Sequence, residues 1–347
     1  MRRFECERCD AIVGFDAFTC SNCAADLGYL PAERALRKLE PGPAPSLFVI
    51  DGSDELLWRC LNSSWGCNWL LPAGSPEDWC RSCALTRGRP DEADPFAVEA
   101  WAIAEAAKRR LVHQLDELGL PIDQRSDSTP DGLTFDLVYV PGEPQVTGHL
   151  DGVITLDLTE TDAAHRDDLR RAYDEPLRSV IGHLRHEIGH HYWRMLVRDA
   201  GLLDDFRSLF GDERDDYVEA ITTHHRSWFL APEDPDHITR YAAAHPMEDW
   251  AETFGHYLHV RDALGTADAA GLGVRLLRID RPRPDPGFSS TFARWQRIAE
   301  SINDVAGSLG SEPVYPFDPG AVVIEKLSFV DRCIGAAAAR SSSSTLR

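Results

Sequence analysis

No apolar run in this sequence approaches the roughly 20 residues of a membrane-spanning helix, which excludes a helical membrane span. The first residues, Met1-Arg2-Arg3-Phe4-Glu5-Cys6, lack the apolar core of a secretion signal, so the expected compartment is the cytoplasm. Positive charge is in short supply: 36 Lys and Arg face 57 Asp and Glu, a net charge of −21. Such a surface repels phosphate backbones and anionic membranes, and neither is an expected partner. Residues 1–40 hold six Lys or Arg against seven Asp or Glu, so no basic patch of a nucleic-acid reader is present there. Cysteine is missing from most of the chain. Eight of the nine lie in the first 83 residues, and Cys333 stands alone near the end. In a reducing compartment, clustered cysteines at tight spacing point to metal ligands rather than disulfides.

What is present fits an ordinary globular protein: 347 residues, 43% hydrophobic and 27% charged, enough for two or three domains. An internal repeat opens the chain, with Phe4-Glu5-Cys6-Glu7-Arg8-Cys9 echoed 14 residues later by Phe18-Thr19-Cys20-Ser21-Asn22-Cys23. Two C-x-x-C turns at this separation close on one tetrahedral Zn²⁺, each leading Phe covering the site. Four thiolates leave no open position for a substrate, so this zinc is structural, and a module of about 30 residues needs such a staple. Leu39 to Pro45 reads as a linker. Cys60, Cys67, Cys80 and Cys83 follow at a less standard spacing but supply four ligands for a second structural zinc. Trp58, Trp65, Trp69 and Trp79 interleave with them, and a small core around the metal is the expected reason, rather than base stacking.

From Asp94 the pattern turns helical, with Ala97 to Leu118 as one helix. Leu133 to Val140 and Gly152 to Leu158 read as strands. Next comes His186-Glu187-Ile188-Gly189-His190. On a helix, residues four apart share a face, so His186 and His190 can grip one metal ion, with Glu187 beside them to take a proton from a metal-bound water. The bare pattern recurs by chance, and the flanks decide its standing. Asp174 is a candidate cap and Pro176 a first-turn residue, while Leu177, Val180, Ile181, Leu184, Ile188, Tyr192 and Met195 form a buried stripe at helical spacing. Gly189 leaves room for another chain to approach.

A catalytic zinc takes three protein ligands and keeps a fourth position open. Trp193 and Leu196 stand where the extended pattern H-E-x-x-H-x-x-G-x-x-H needs glycine and histidine, which excludes that class. The best third ligand is Glu248, 58 residues past His190, on a helix opened by Pro246 with Met247, Trp250, Ala251, Phe254 and Leu258 as its buried stripe. Glu252, four residues on, would orient a ligand histidine. Asp212, Glu213 and Glu252 itself are rivals as ligand, and His256 and His259 are expected behind the ligands or on the surface. Tyr241 is a candidate donor to an oxyanion. Arg281 to Gly287 reads as a stiff loop, Phe292 to Leu309 as a helix, Cys333 as a buried apolar residue and residues 336–347 as a frayed tail.

The paired cysteines, Phe210 to Arg214, His186 to His190, His245-Pro246 leading into Glu248 to Glu252, and Tyr315-Pro316-Phe317 together resemble the bacterial zinc-binding metallopeptidases with an N-terminal zinc-ribbon domain. Tyr241 followed by Glu248 and Glu252 resembles the lethal-factor-type gluzincins, which implies zinc ligation by Glu248 and catalytic assistance by Tyr241. The expected fold is therefore α+β: a zinc ribbon at 1–38, a second Cys₄ module at 46–92, and a mostly helical zincin-like domain with a small sheet at 94–335. The expected function is hydrolysis of peptide bonds in a peptide or protein substrate, with one catalytic and two structural Zn²⁺. An edge strand would hold the substrate extended, and the ribbons are a candidate surface for a protein partner. The contrasting expectation is a zinc-ribbon binding or regulatory protein whose central zinc is structural or vestigial.

Overall fold

The computed structural model describes residues 3–143, 145, 147–173, 175–227, 229, 234–272 and 287–344 of an α+β protein. The N-terminal repeat survives as repeated backbone geometry. Cys6 N–H donates to Ala11 and Cys20 N–H to Ala25, both at 2.9 Å, and Asp10 and Ala24 return N–H bonds to Cys6 and Cys20, also at 2.9 Å. Asp10 and Ala24 close the two knuckles in the left-handed region, at φ 57° and 55°. The repeat ends at the phenylalanines. Phe4 packs with Phe15, ring centres 5.9 Å apart, whereas Phe18 lies half-buried under the Arg59 guanidinium.

Strands β1 (Phe4–Glu5) and β2 (Ile12–Val13) pair antiparallel, as do β3 (Leu27–Leu30) and β4 (Ala35–Lys38). A four-stranded antiparallel sheet follows: β5 (Glu40–Pro41), β6 (Phe48–Val49), β7 (Leu57–Arg59) and β8 (Leu70–Pro72). The expected linker at 39–45 is thus partly strand, and Pro41 sits on the sheet's edge, where its missing N–H is tolerated. The two cysteine groups pack as one unit. Asn68 Nδ2 donates to the Phe15 carbonyl at 2.7 Å, the Tyr29 and Trp69 rings lie 4.8 Å apart, and Arg59 pairs with Asp26 at 2.5 Å. Trp69 is fully buried and Trp65 stacks edge-on against Trp101, but Trp79 is exposed and adds nothing to this core.

After the short α1 (Arg81–Ala84), helix α2 (Pro95–Glu117) starts on an Asp94 cap, whose carboxylate accepts from the N–H groups of Phe96 and Ala97. One face of α2 meets the ribbon and another meets the helical domain. Next come β9 (Thr134–Val138), β10 (Gly148–Leu150) and β11 (Val153–Asp157), in the order β10-β11-β9. β11 runs parallel to β9 and antiparallel to β10. The sequence showed β9 and β11 but not β10, whose three residues are too few for an alternation to register.

Helices α3 (Ala163–Tyr173) and α4 (Val180–Trp193) follow. The start of α4 corrects the sequence reading. Ser179 caps it by accepting from Gly182 N–H at 3.0 Å, Pro176 and Leu177 stay in the preceding turn, and Asp174 lies outside the described residues. Past α5 (Leu203–Phe210) and α6 (Tyr217–Ser227), the long α7 (Pro246–Ala269) crosses α4 and is clad by α8 (Gly287–Ser308) and α9 (Ala321–Ser344). The chain that Gly189 admits is α7: a Cβ on Gly189 would lie 3.1 Å from Ala251 Cα and from Phe254 Cβ. The Gly189 carbonyl also accepts from the Trp250 indole at 2.8 Å.

The tail expected at 336–347 is helix through Ser344. Ala336 to Ala339 are strong helix formers, Ala337 is buried, and Ala338 packs on Gly119. Of the expected stiff loop, residues 281–286 lie outside the described residues. Cys333 is buried in α9, where desolvation pushes its thiol up to about 12, an inert apolar role. One continuous core runs from Phe4 in the ribbon to Ala337 in α9. No described helix is long and apolar enough to cross a membrane.

Candidate metal centre

The i,i+4 spacing sets His186 and His190 on one face of α4, their Nε2 atoms 3.2 Å apart. The Gly189 contact brings the first turns of α7 against that face. The start of α7 is fixed by His245, whose Nδ1 accepts from Met247 N–H at 3.1 Å, with Pro246 in the first helical position. With Nδ1 accepting, Nε2 carries the proton and donates to the Asp215 carbonyl at 3.1 Å. Glu248 then projects at α4, its Oε2 lying 3.1 Å from His186 Nε2 and 3.6 Å from His190 Nε2.

These three atoms form a triangle with sides of 3.1, 3.2 and 3.6 Å. Ligand atoms about 2.0–2.1 Å from a tetrahedral Zn²⁺ would be about 3.3–3.4 Å apart, so the donors fit the ion. A second observation agrees. Glu248 is only 1% exposed, and its Oε2 is buried without a hydrogen-bond partner, an arrangement that costs free energy unless a cation meets it. The electrostatics also favour positive charge here. Burial would lower the His186 imidazole, but Glu248, Glu252 and Glu187 outweigh it and hold the pKa well above the ordinary value. Burial would raise the Glu248 carboxyl, and the two imidazoles overcome it and hold the group well below the carboxylate range.

Around the triangle, Glu252 Oε1 accepts from His186 Nδ1 at 2.7 Å, which leaves Nε2 as the donor atom toward a metal. Thr239 Oγ1 donates to the other Glu252 oxygen at 2.8 Å. Glu187, 8% exposed, offers an oxygen within 4.8 Å of donor atoms of both histidines. It lines a cavity of about 520 Å³ together with His183, His186, His225, Tyr241 and Glu252. The Tyr241 ring centre lies 6.0 Å from that of His186, and burial first, then Glu248, raises its phenol so that it stays protonated. His183 is paired with Glu160 just after β11.

The rival acids are engaged elsewhere: Glu213 accepts from Arg207 at 2.9 Å and Asp212 from Arg214 at 2.8 Å. His256 is buried against the Tyr315 hydroxyl at 3.0 Å, and half-buried His259 meets the Arg185 guanidinium at 2.8 Å. Both line the same cavity as His186 and Glu187, and neither is exposed, so the surface alternative does not apply to them. Sequence reasoning missed Tyr217, whose hydroxyl donates to Glu248 Oε1 at 2.6 Å, and Thr239, because neither carries a motif. It also passed over Asp249, which forms a buried ion pair with Lys326 at 2.6 Å.

The cysteine groups have the spacing of Zn–S₄ sites. Cys6 and Cys23 sulfurs are 3.6 Å apart, Cys9 and Cys20 3.7 Å, and Cys67 and Cys80 3.7 Å. Zn–S bonds of about 2.3 Å give tetrahedral edges of about 3.8 Å, whereas a disulfide would bring sulfurs to about 2.05 Å. Ionisation among the first four is unequal. Asn22 draws the Cys9 thiol down to about 6; Cys23, despite a backbone bond at Ala25, is pushed up to about 12 by desolvation and its neighbouring thiols. Four thiolates gather at one point only around a cation. The second group, Cys60, Cys67, Cys80 and Cys83, is buried throughout.

Comparison with known proteins bears on both regions. A family model described as "Putative zinc-binding metallo-peptidase" matches residues 97–333. A zinc-ribbon domain model matches residues 3–94, spanning both cysteine groups. Uncharacterized proteins of Mycobacterium bovis and of two Mycobacterium tuberculosis strains are each 40% identical over 332 residues, covering 95% of this chain and 94% of theirs. No solved structure matches.

Proposed function

The chain belongs to this zinc-binding metallo-peptidase family, and we propose that it hydrolyses peptide bonds in peptide or protein substrates with one catalytic and two structural Zn²⁺. His186, His190 and Glu248 are the residues that would hold the catalytic ion. An ion held there would supply Lewis-acid chemistry, lowering the pKa of a water to about 7 and polarising a carbonyl. The chain's own groups do the rest. Glu187 takes the proton of the attacking water and passes it to the leaving amine. Tyr241, kept protonated by burial, donates its hydroxyl to the carbonyl oxygen as negative charge develops. Glu252 and Thr239 hold the His186 ring in orientation. β10, the edge strand packed on α4, pairs with the extended substrate backbone.

One observation carries this reading: three donors converge on one point, and His186 among them lines the same cavity as Glu187. A purely structural zinc, the alternative for a ribbon-based binding protein, needs neither the cavity nor the base. The decisive variant is Glu187→Gln, assayed on a peptide library with zinc counted by mass spectrometry. It should keep the wild-type zinc content while hydrolysis falls by about 10²-fold or more. Hydrolysis that survives this substitution removes Glu187 from the mechanism. A zinc-loaded wild type with no hydrolysis of any peptide would favour the structural alternative.

A further inference from the structure

We propose that Tyr217, on α6, is a positioning residue for the metal centre: it clamps one oxygen of Glu248 and thereby aims the other at the two imidazoles. The inference rests on the reading of Glu248 as a ligand. Glu248 Oε1 accepts the Tyr217 hydroxyl at 2.6 Å, a short bond to an ionised acceptor and so among the stronger kind. Oε2 is buried, has no hydrogen-bond partner and faces His186 and His190. A carboxylate with both oxygens free can rotate or chelate through both; with Oε1 tied, only Oε2 is presented, to a single point.

The element that supplies this clamp is unusual. None of the residues of α6 is buried, so apolar packing does little to hold it. Its attachments to the site are made by Tyr217, through the Glu248 bond and a ring contact of 5.2 Å with the cap residue His245. His224 and His225 add ring contacts of 5.6 and 6.4 Å with Tyr241. Docking of α6 and placement of Glu248 are therefore linked, and by reciprocity an ion that draws Glu248 to the imidazoles also favours the docked helix. One effect opposes this. Hydrogen bonding to Oε1 withdraws electron density from the carboxylate and weakens Oε2 as a donor. Outer partners that orient a metal ligand are nevertheless worth about 10–100-fold in affinity, so orientation should win.

The test is competition of the full-length chain against a chelator of known Zn²⁺ affinity. Wild type should hold three zincs, two of them in the cysteine sites. Tyr217→Phe, which deletes one oxygen atom, should hold the weakest-bound zinc about 10–100-fold less tightly and leave the cysteine-bound pair unchanged. The unchanged pair reports that the variant is folded. Co²⁺ bound at the histidine site should also show an altered visible spectrum, which general loosening elsewhere would not produce. Val218→Ala, at an exposed neighbour on the same helix, should leave the affinity unchanged. Affinity of Tyr217→Phe within about two-fold of wild type, or tighter, overturns the proposal, as does an equal loss in Val218→Ala. If wild type holds only two zincs, the metallopeptidase reading fails first and this inference with it.

Discussion

At the scale of single residues, the centre depends on acids whose burial is tolerable only because each is paired. Asp249, next to Glu248 in sequence, shows how steep that dependence is. It is 1% exposed, and Lys326 Nζ, from α9, lies 2.6 Å from its Oδ2. The same ammonium donates to the Asp236 carbonyl at 2.6 Å, tying down the segment that leads to Thr239 and Tyr241. Burial pushes the Asp249 carboxyl up to about 6 even though Lys326 pulls the other way, so desolvation is the larger effect. Removing one partner of such a pair strands a buried charge, at about 3–5 kcal/mol; removing both can be close to neutral. Lys326→Met should therefore destabilise the protein by about 3 kcal/mol or more in urea unfolding, and Asp249→Asn with Lys326→Met should recover at least half of that. Equal losses in the single and double variants would show that the pair contributes packing alone. None of this was legible in the sequence: Lys326 lies 77 positions from Asp249, and nothing local marks either residue as a partner of the other.

At the scale of elements, the centre exists because α4 and α7 approach closely, and two glycines at their crossing have opposite tolerances. A Cβ on Gly189 would meet a backbone Cα and a Cβ of α7, each at 3.1 Å, atoms that cannot swing aside. A Cβ on Gly255 would have its nearest neighbour, His186 N, at 3.5 Å, which is ordinary contact. Replacing glycine by alanine inside a helix gains about 0.8–1 kcal/mol of propensity, whereas overpacking costs about 1–3 kcal/mol. Gly189→Ala should thus be net destabilising and lose affinity for the third zinc as Glu248 is pushed back. Gly255→Ala should be neutral or stabilising with zinc retained. Thermal midpoints and zinc counts on both variants check the pair. The motif helix and the strands β9 and β11 were readable because their signals are local: periodicity, alternation and an i,i+4 histidine pair. Glu248 was reachable because its helix had a proline start and an apolar stripe. The role of α6 was not, since an exposed helix acting through one tyrosine looks like any solvated segment. The cap of α4 was misplaced because Asp174-Glu175-Pro176 mimics a helix start five residues before the one that Ser179 makes.

At the scale of the whole molecule, the ribbon reads in the sequence as a separate module, and the packing makes it part of one continuous core with the helical domain. Helix α2 is the shared wall. Toward the ribbon it buries Glu105, Lys108, Arg109 and His113, all 2% exposed or less. Lys108 pairs with Glu105 at 2.6 Å, Glu105 accepts from Thr86 at 2.5 Å, Arg109 donates to the Gly66 carbonyl at 2.9 Å and His113 meets the Tyr29 hydroxyl at 2.6 Å. The very next residue, Gln114, faces the other way, donating to the Leu258 carbonyl of α7 at 2.6 Å and accepting from Arg185 at 3.1 Å, next to His186. Residues 85–87 also join the edge of β9, with Phe135 N–H donating to Leu85 at 2.8 Å. Several partners that keep these charges tolerable belong to a region folded around Cys60, Cys67, Cys80 and Cys83. If that region lost its metal, groups on α2 would be stranded, and the loss would pass into the wall that supports α4. Unfolding should therefore be a single cooperative transition, not a ribbon melting ahead of an intact helical domain. Cys67→Ser should lower that one midpoint and reduce zinc affinity at the distant His186–His190 site. Two resolved calorimetric transitions, with the upper one unmoved by Cys67→Ser, would show instead that the ribbon is an independent domain and that α2 is sufficient without it.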